Sequence, residues 1–225
     1  MKVKWGALAV AGSGKINGFV ASKNRGGSYF RTKTTPSNPQ SIKQQVARAI
    51  LASLSTAWAG LTENQRLSWS GAVSNFATTD IFGDLRNPSG INLFVKLNTN
   101  CINGNFQQLV AAPDKVAVPF EEINSVEIMN NGNDGFVEFN TSVLDGLTVF
   151  VSATPPLSQG VKFVKNKLRL LGAFVVDDNL VDLGAAYAGR FGTPSIGANV
   201  VISVRVVLPN GQTGVAQTYK ANVVV

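Results

Sequence analysis

The chain has 225 residues, with 20 Lys and Arg, 13 Asp and Glu, no His and a single Cys. The absence of His excludes Ser-His-Asp triads, Cys-His dyads and imidazole metal ligands. The single Cys101 excludes an internal disulfide and a thiolate zinc site, and no apolar run approaches the roughly 20 residues of a membrane span. We therefore expect a protein that is not an enzyme, binds neither cofactor nor metal and does not contact a membrane.

Charge is distributed unevenly along the chain. Residues 1–70 contain ten Lys and Arg and one acidic residue, Glu63, so they carry a net charge of +9. Residues 71–115 are neutral, and residues 116–225 carry a net charge of −2. Such a basic segment indicates either a polyanionic partner or an acidic neighbouring subunit, although a solvated basic surface explains the same composition.

Residues 1–37 are predicted to form a basic, Gly-rich β arm. Alternating apolar and polar residues predict three short strands, Val3–Val10, Ile16–Ala21 and Ser28–Lys33, with turns at 12–14 and 24–27. Strands as few and short as these do not bury a hydrophobic core of their own. The arm is therefore expected to pack on another part of the chain or on another subunit.

Residues 38–110 are predicted to form a small helical unit. Asn38 has the chemistry of an N-cap, and Pro39 that of a first helical residue. Apolar residues then recur three or four positions apart, at Ile42, Val46, Ile50, Leu54, Trp58 and Leu61. This spacing predicts a first helix of about six turns with one apolar stripe, ended by Gly60.

Two further helices follow the first. Thr62 and Gln65 have the form of a capping box that starts the second helix, and Ser89 is the expected N-cap of the third. The stretch between these two helices is predicted to be a loop or tight turn. Because the first two helices are joined by so short a connection, Trp58 and Trp69 are expected to share one small core.

After a Pro-bounded linker at 111–119, residues 120–225 are predicted to form a β-sandwich. The candidate strands are Ser125–Met129, Gly135–Thr141, Leu147–Ala153, Leu168–Val175, Asn199–Leu208 and Val215–Val224, with a further short strand at Val161–Val164. Six or seven strands in roughly 100 residues are typical of immunoglobulin and fibronectin type III domains. The predicted fold class is α+β, with an N-terminal Gly-rich β-hairpin arm and small helical unit followed by a C-terminal immunoglobulin-like β-sandwich.

Several short motifs resemble chemical sites but have plainer explanations. Ala11–Ile16 (AGSGKI) lacks two residues of the phosphate-binding loop pattern and predicts a hairpin turn instead. The acidic groups at 177–182 and 121–122 have no metal-ligand spacing and no evident cleft, so they predict solvated turns. Cys101 lies on the apolar side of the third helix, so we expect a buried thiol that is not a nucleophile.

The main candidate binding residues are cations and aromatic residues of the arm and the first helix. The stretch Lys23–Lys33 interleaves four cations with two aromatic rings, and Arg66 adds a further cation in the second helix. This pattern is typical both of nucleic-acid-binding arms and of arms that contact a neighbouring subunit, and both alternatives stay open here. The candidates for polyanion or subunit contact are Lys15, Lys23, Arg25, Tyr29, Phe30, Arg31, Lys33, Lys43 and Arg48.

Two stretches of the helical unit, NPQSIKQQVARAILASLSTAWAGLTENQRLSWSGAV and SGINLFVKLN, share a distinctive pattern of residues. The residues that carry it are Asn38, Pro39, Ser41, Gln44 or Gln45, Arg48, Trp58, Leu61, Gln65, Arg66, Trp69, Ser89, Gly90, Leu93, Phe94 and Asn98. The pattern resembles an uncharacterised group of proteins encoded by tailed phages and prophages. Two C-terminal stretches, SATPPLSQGVKFVKNKLRLLG and AAYAGRFGTPSIG, are similar to the sandwich domain of the same group.

The resemblance implies a phage origin and a location in the virion. With an arm that lacks its own core, it predicts a virion structural protein, in the capsid or at the head–tail junction. Such a protein acts by repeated contacts with copies of itself and with other virion proteins. Two alternatives are a packaging protein that binds nucleic acid through the basic N-terminal segment, and a carbohydrate-binding or adhesive surface module built on the sandwich.

Overall fold

In a computed structural model, the described residues are 13–24, 27–35, 37–79, 85–120, 122–129, 135–139, 142–158, 160–161 and 163–224. They form a mixed α+β structure with four α-helices and three β-sheets, which confirms the predicted class. The chain divides into two units, residues 1–46 and residues 47–225. The finer boundaries at 37, 110 and 119 stay a prediction.

Three short strands of the first unit form an antiparallel sheet, here called the arm sheet. They are β1 (Gly14–Ile16), β2 (Phe19–Asn24) and β3 (Gly27–Thr32), paired in that order. The single strand predicted at 16–21 is wrong, because Asn17 and Gly18 turn the chain between β1 and β2. Asn17 adopts a φ of 49°, and Asn-Gly is a strong signal for such a two-residue hairpin loop. The strand predicted at Val3–Val10 lies outside the described residues.

The first helix, α1 (Ile42–Ala59), begins later than the sequence predicts. Gln40 adopts a left-handed backbone with a φ of 48°, which an α-helix does not accommodate, so the predicted N-cap at Asn38 is wrong. Every residue from 42 to 49 is solvent-exposed, whereas Leu54 is completely buried. Only the second half of the apolar stripe therefore contributes to a core.

The next two helices start where their capping residues predict. They are α2 (Glu63–Ala72), continued by a 3₁₀ turn (Val73–Phe76), and α3 (Gly90–Asn103). The backbone N–H of Thr62 donates to Gln65 Oε1 at 2.8 Å, and Thr62 Oγ1 accepts from the Gln65 N–H at 3.4 Å. Ser89 Oγ accepts from the Asn92 N–H at 3.3 Å. The predicted loop between these helices contains a short antiparallel pair, β4 (Thr78–Thr79) and β5 (Leu85–Arg86).

The three helices enclose one aromatic core. Phe94 is completely buried and lies between two indoles, with ring centroids 5.4 Å from Trp58 and 5.3 Å from Trp69. Trp69 is completely buried and its Nε1 donates to the Val110 carbonyl at 3.0 Å, while Trp58 is half-buried. The predicted shared core is thus confirmed, with Phe94 as the residue that links the two Trp side chains.

The C-terminal part of the second unit is a seven-stranded sheet with the order β10-β7-β6-β12-β11-β8-β9. Its strands are β6 (Ile123–Met129), β7 (Gly135–Phe139), β8 (Thr148–Ala153), β9 (Arg169–Val175), β10 (Leu180–Asp182), β11 (Asn199–Val207) and β12 (Gln217–Val224). All pairs are antiparallel except β12 with β6, which are parallel. The two edge strands, β9 and β10, are consecutive and joined by a tight turn, so the sheet is nearly barrel-like.

All six main strands predicted for this part are present, within two residues of their predicted ends. The extra strand predicted at Val161–Val164 is wrong for the described residues of that segment, which lie in a loop. The sequence prediction also lacked β10 and the helix α4 (Gly184–Phe191). A strand of three residues shows no usable alternation, and α4 buries only its first residue, Gly184, and Tyr187.

The β11–β12 turn rests on α3 inside this second unit. Asn100 Nδ2 donates to the Gly211 carbonyl at 2.8 Å, and Cys101 Sγ lies 3.5 Å from the Pro209 carbonyl. Gly211 has a φ of 75°, and a Cβ at this position would collide with the Leu97 carbonyl. Only glycine allows the backbone to approach the helix this closely.

Candidate functional site

The arm sheet has two chemically different faces. Cross-strand partners share a face, and the side chains of one strand alternate between the two faces. The row Ile16–Phe19–Thr32 and the row Gly14–Ala21–Phe30 therefore lie on one side, called the apolar face. The row Lys15–Val20–Arg31 and the pair Ser22–Tyr29 lie on the other side, called the cationic face. The two aromatic residues that are adjacent in sequence, Tyr29 and Phe30, are thus separated.

The apolar face presents large side chains to solvent. Ile16 is 61% exposed and Phe19 is 58% exposed, while Phe30 is half-buried. Together with Arg31 and Thr32 they line a shallow concave surface of about 430 Å³. Grouped exposed apolar side chains are one feature of protein–protein contact sites.

The first unit has almost no buried side chains. Among its described residues, Ala21 alone is buried. Both hydrophobic cores of the described chain belong to residues 47–225, one between the helices and one inside the seven-stranded sheet. The described residues of the arm sheet therefore belong to neither core.

The remaining candidate contact residues lie at several places. Lys23 belongs to β2 on the side of the apolar face, and Lys33 follows β3, where its N–H extends the ladder to the Gly18 carbonyl at 2.8 Å. Lys43 and Arg48 are exposed on α1. Arg25 lies outside the described residues.

Arg66 has a structural role that the sequence did not predict. Its Nη2 donates to the Ala59 carbonyl at 2.7 Å and its Nε donates to the Trp58 carbonyl at 3.4 Å. Another guanidinium nitrogen lies 3.9 Å from the Glu63 carboxylate. Arg66 therefore satisfies carbonyl groups at the C-terminal end of α1, where a cation is also favoured by the helix dipole, and is not a free phosphate-binding cation.

The short chemical motifs do not assemble into sites. Residues 14–16 of the glycine-rich motif form β1, and the chain then turns back into β2 rather than entering a helix. Asp182 Oδ1 accepts the Gly184 N–H at 2.9 Å, and Asp145 Oδ1 accepts the Asn179 N–H at 2.8 Å, so these acids order turns. No group of three potential metal ligands occurs within the described residues, and Glu121 lies outside them.

Cys101 is completely buried, as predicted. Burial raises the pKa of its thiol, and a hydrogen bond with the backbone of Cys101 itself partly opposes this shift. A thiol with a raised pKa is largely protonated near neutral pH and is a poor nucleophile. Cys101 therefore acts as a small apolar residue at the contact between α3 and the β11–β12 turn.

A second concave surface, of about 370 Å³, lies beside α3 in the second unit. Lys96 and Lys115 line it together with exposed apolar residues such as Phe120 and Val215. The amide group of Gln212, which also lines this surface, is already hydrogen-bonded within the protein, because its Nε2 donates to the Asp114 carbonyl at 2.6 Å. Sequence analysis missed this surface, since its lining residues come from four separate segments.

No protein-family model, curated protein sequence or solved structure matches this chain. The helices in the described part of the chain are also too short or too polar to cross a lipid bilayer. The functional argument therefore rests on the chemistry of the surfaces described above, and principally on the arm sheet.

Proposed function

We propose that this protein is a structural component of a phage virion, in the capsid or at the head–tail junction. It acts through repeated contacts with copies of itself and with other virion proteins, and it is not an enzyme. The resemblance of the helical unit to tailed-phage and prophage proteins supports the phage origin. The exposed apolar face of the arm sheet supports the contact role.

The proposal rests on one observation about the first unit: its described residues expose large apolar side chains but do not form a hydrophobic core. Ile16 and Phe19 each leave more than half of their surface in water, and Ala21 is the one buried residue among the described residues of that unit. Complete burial of a fully exposed side chain of this size gains about 1.5–3 kcal/mol, and more than half of that gain remains for Ile16 and Phe19. Covering the apolar face with a neighbouring protein therefore both stabilises the arm sheet and drives assembly.

The test measures the native mass with and without the apolar face. The wild-type protein is expected to form assemblies larger than the 23.8 kDa monomer in mass photometry and sedimentation velocity. The double variant Ile16→Ser/Phe19→Ser removes the two most exposed apolar side chains of the arm sheet and is expected to sediment as a monomer.

A matched control removes equally exposed apolar side chains elsewhere. Val143 is 59% exposed and Val215 is 75% exposed, both in the second unit. The variant Val143→Ser/Val215→Ser should assemble like the wild type. A wild-type protein that stays monomeric at tens of micromolar, or equal assembly by both double variants, would refute the contact role. Mass spectrometry of purified phage particles then tests the virion location directly.

We also propose that the seven strands form an immunoglobulin-type sandwich. In the proposed sandwich, β6, β7 and β10 belong to one layer and β8, β9, β11 and β12 to the other, although hydrogen bonds join all seven strands in one sheet. In support, the first part of β12 pairs with β11, while Val223 and Val224 pair in parallel with β6, as expected where a strand passes from one layer to the other. An open sandwich predicts rapid hydrogen exchange at alternate amides of β9 that face away from β8, whereas a closed barrel predicts protection there.

A further inference from the structure

The cationic face of the arm sheet places an aromatic ring beside two cations. Lys15 and Arg31 both pair with Val20, on β1 and β3 respectively, so they flank β2 on the same face. Strands lie about 4.7–4.9 Å apart, which puts the two Cα atoms about 10 Å from each other. Tyr29 lies two residues before Arg31 on the same face and is half-buried.

These cations have no acidic counterpart nearby in the sequence. The first 62 residues contain nine Lys and Arg and no Asp or Glu. The ion pair of Arg66 with Glu63 lies outside the arm sheet, and both Lys15 and Arg31 are exposed. Their charge is therefore available to an external polyanion.

We propose that the cationic face binds single-stranded nucleic acid, with Lys15 and Arg31 contacting phosphates and Tyr29 stacking against a base. Cations that follow the backbone beside an aromatic platform are the combination that sequence-independent single-strand binding uses. The proposal does not depend on the assembly role, because assembly buries Ile16 and Phe19, whereas Lys15 and Tyr29 lie on the opposite face. Arg31 belongs to the cationic row but also lines the concave surface of the apolar face. An acidic protein surface is the competing partner for the same cations, and it offers no base to stack on Tyr29.

The experiment measures binding of the full chain to a fluorescent oligothymidylate of about 20 nucleotides by anisotropy, over salt from about 50 to 500 mM. Each phosphate contact to a single strand contributes about 0.7 to the slope of log affinity against log salt. The variant Lys15→Gln/Arg31→Gln is expected to reduce that slope by about 1.4.

The matched control is Lys23→Gln/Lys220→Gln. It removes the same number of charges from exposed sites, but Lys23 lies on the side of the apolar face and Lys220 lies in β12. Its slope should equal that of the wild type. If the two double variants reduce the slope equally, binding is diffuse electrostatic attraction and the assigned face is wrong.

Tyr29 provides a second, charge-independent readout. Tyr29→Leu is expected to weaken binding about 5- to 150-fold, the range of one lost base-stacking contact, while Tyr29→Phe keeps the ring and should bind like the wild type. A wild-type protein that does not bind at 50 mM salt overturns the proposal, as does an unchanged affinity of Tyr29→Leu. If the wild-type protein does not bind the oligonucleotide but Lys15→Gln/Arg31→Gln changes the sedimentation of the protein, the cationic face contacts an acidic neighbouring subunit instead.

Discussion

Replacing Asn98 by Leu is expected to destabilise the second unit by about 2–4 kcal/mol. Asn98 is completely buried on α3, and its Nδ2 donates to the Phe94 carbonyl at 3.1 Å and to the Leu109 carbonyl at 3.3 Å. Its Oδ1 accepts the Leu109 N–H at 2.6 Å. Leucine has a similar size but no polar atoms, so both backbone groups of Leu109 lose their partner, at about 1–3 kcal/mol each before allowing for partial exposure.

The assay is urea unfolding followed by Trp fluorescence, because Trp58 and Trp69 lie in the core that Asn98 closes. For a chain of this size, a loss of about 2–4 kcal/mol lowers Tm by about 5–15 °C. Asn92→Leu is the matched control, since Asn92 is exposed on the same helix and its replacement should change stability by less than about 0.5 kcal/mol. If both variants unfold at the same urea concentration, the hydrogen bonds of Asn98 do not stabilise the fold and the reasoning fails.

The variant Asn98→Asp adds a pH dependence. A carboxylate keeps the acceptor for the Leu109 N–H but faces two carbonyl oxygens in a buried site, so its pKa in the folded state should lie above its ordinary value. A raised folded pKa means that stability is present below the unfolded pKa and is lost as the pH rises through the folded pKa. The stability deficit of Asn98→Asp should therefore grow from pH 4 to pH 8, while that of Asn98→Leu stays constant.

Three further outcomes follow from burial and backbone conformation. Trp69→Ala should cost about 3–5 kcal/mol in urea unfolding and more than Trp58→Ala, because Trp69 is completely buried and Trp58 is partly exposed. Gly211→Ala should lower Tm more than Gly146→Ala, since both residues have a φ of 75° but only Gly146 has open space for a Cβ. Burial raises the pKa of Tyr187, so this phenol contributes stability below its ordinary pKa that is lost as the pH rises. Alkaline absorbance titration should then show the Tyr187 phenol ionising only as the protein unfolds.

Sequence reasoning succeeded where a local interaction decides the structure. The caps at Thr62 and Ser89 depend on a side chain reaching a backbone group three residues away, and both are observed. The six main strands were located because alternation and turn residues are also local signals. The start of α1 was misplaced because Gln40 adopts a left-handed backbone conformation. Glutamine usually avoids that conformation, so its presence at this position did not predict it.

The candidate surface was only partly predictable. The distribution of charge established a basic N-terminal segment, residues 1–70, with Glu63 as its one acidic residue, and the sequence named Lys15, Tyr29 and Arg31 among its candidates. The Asn17-Gly18 dipeptide, a hairpin signal available in the sequence, would have located the turn that sets the register. Without that register, the apolar residues Ile16 and Phe19 were not recognised as members of one face.

The sequence by itself determined the charge asymmetry, the absence of His chemistry, the helix caps and most strands, because these depend on composition or on neighbours along the chain. Only the tertiary structure decided which residues share a surface. Strand pairing with a period of two places Tyr29 beside the cations and Phe30 on the opposite face, although they are adjacent in sequence. Likewise, the turn between α1 and α2 brings Arg66 beside the carbonyls of Trp58 and Ala59, and the sequence does not show how that turn directs the second helix.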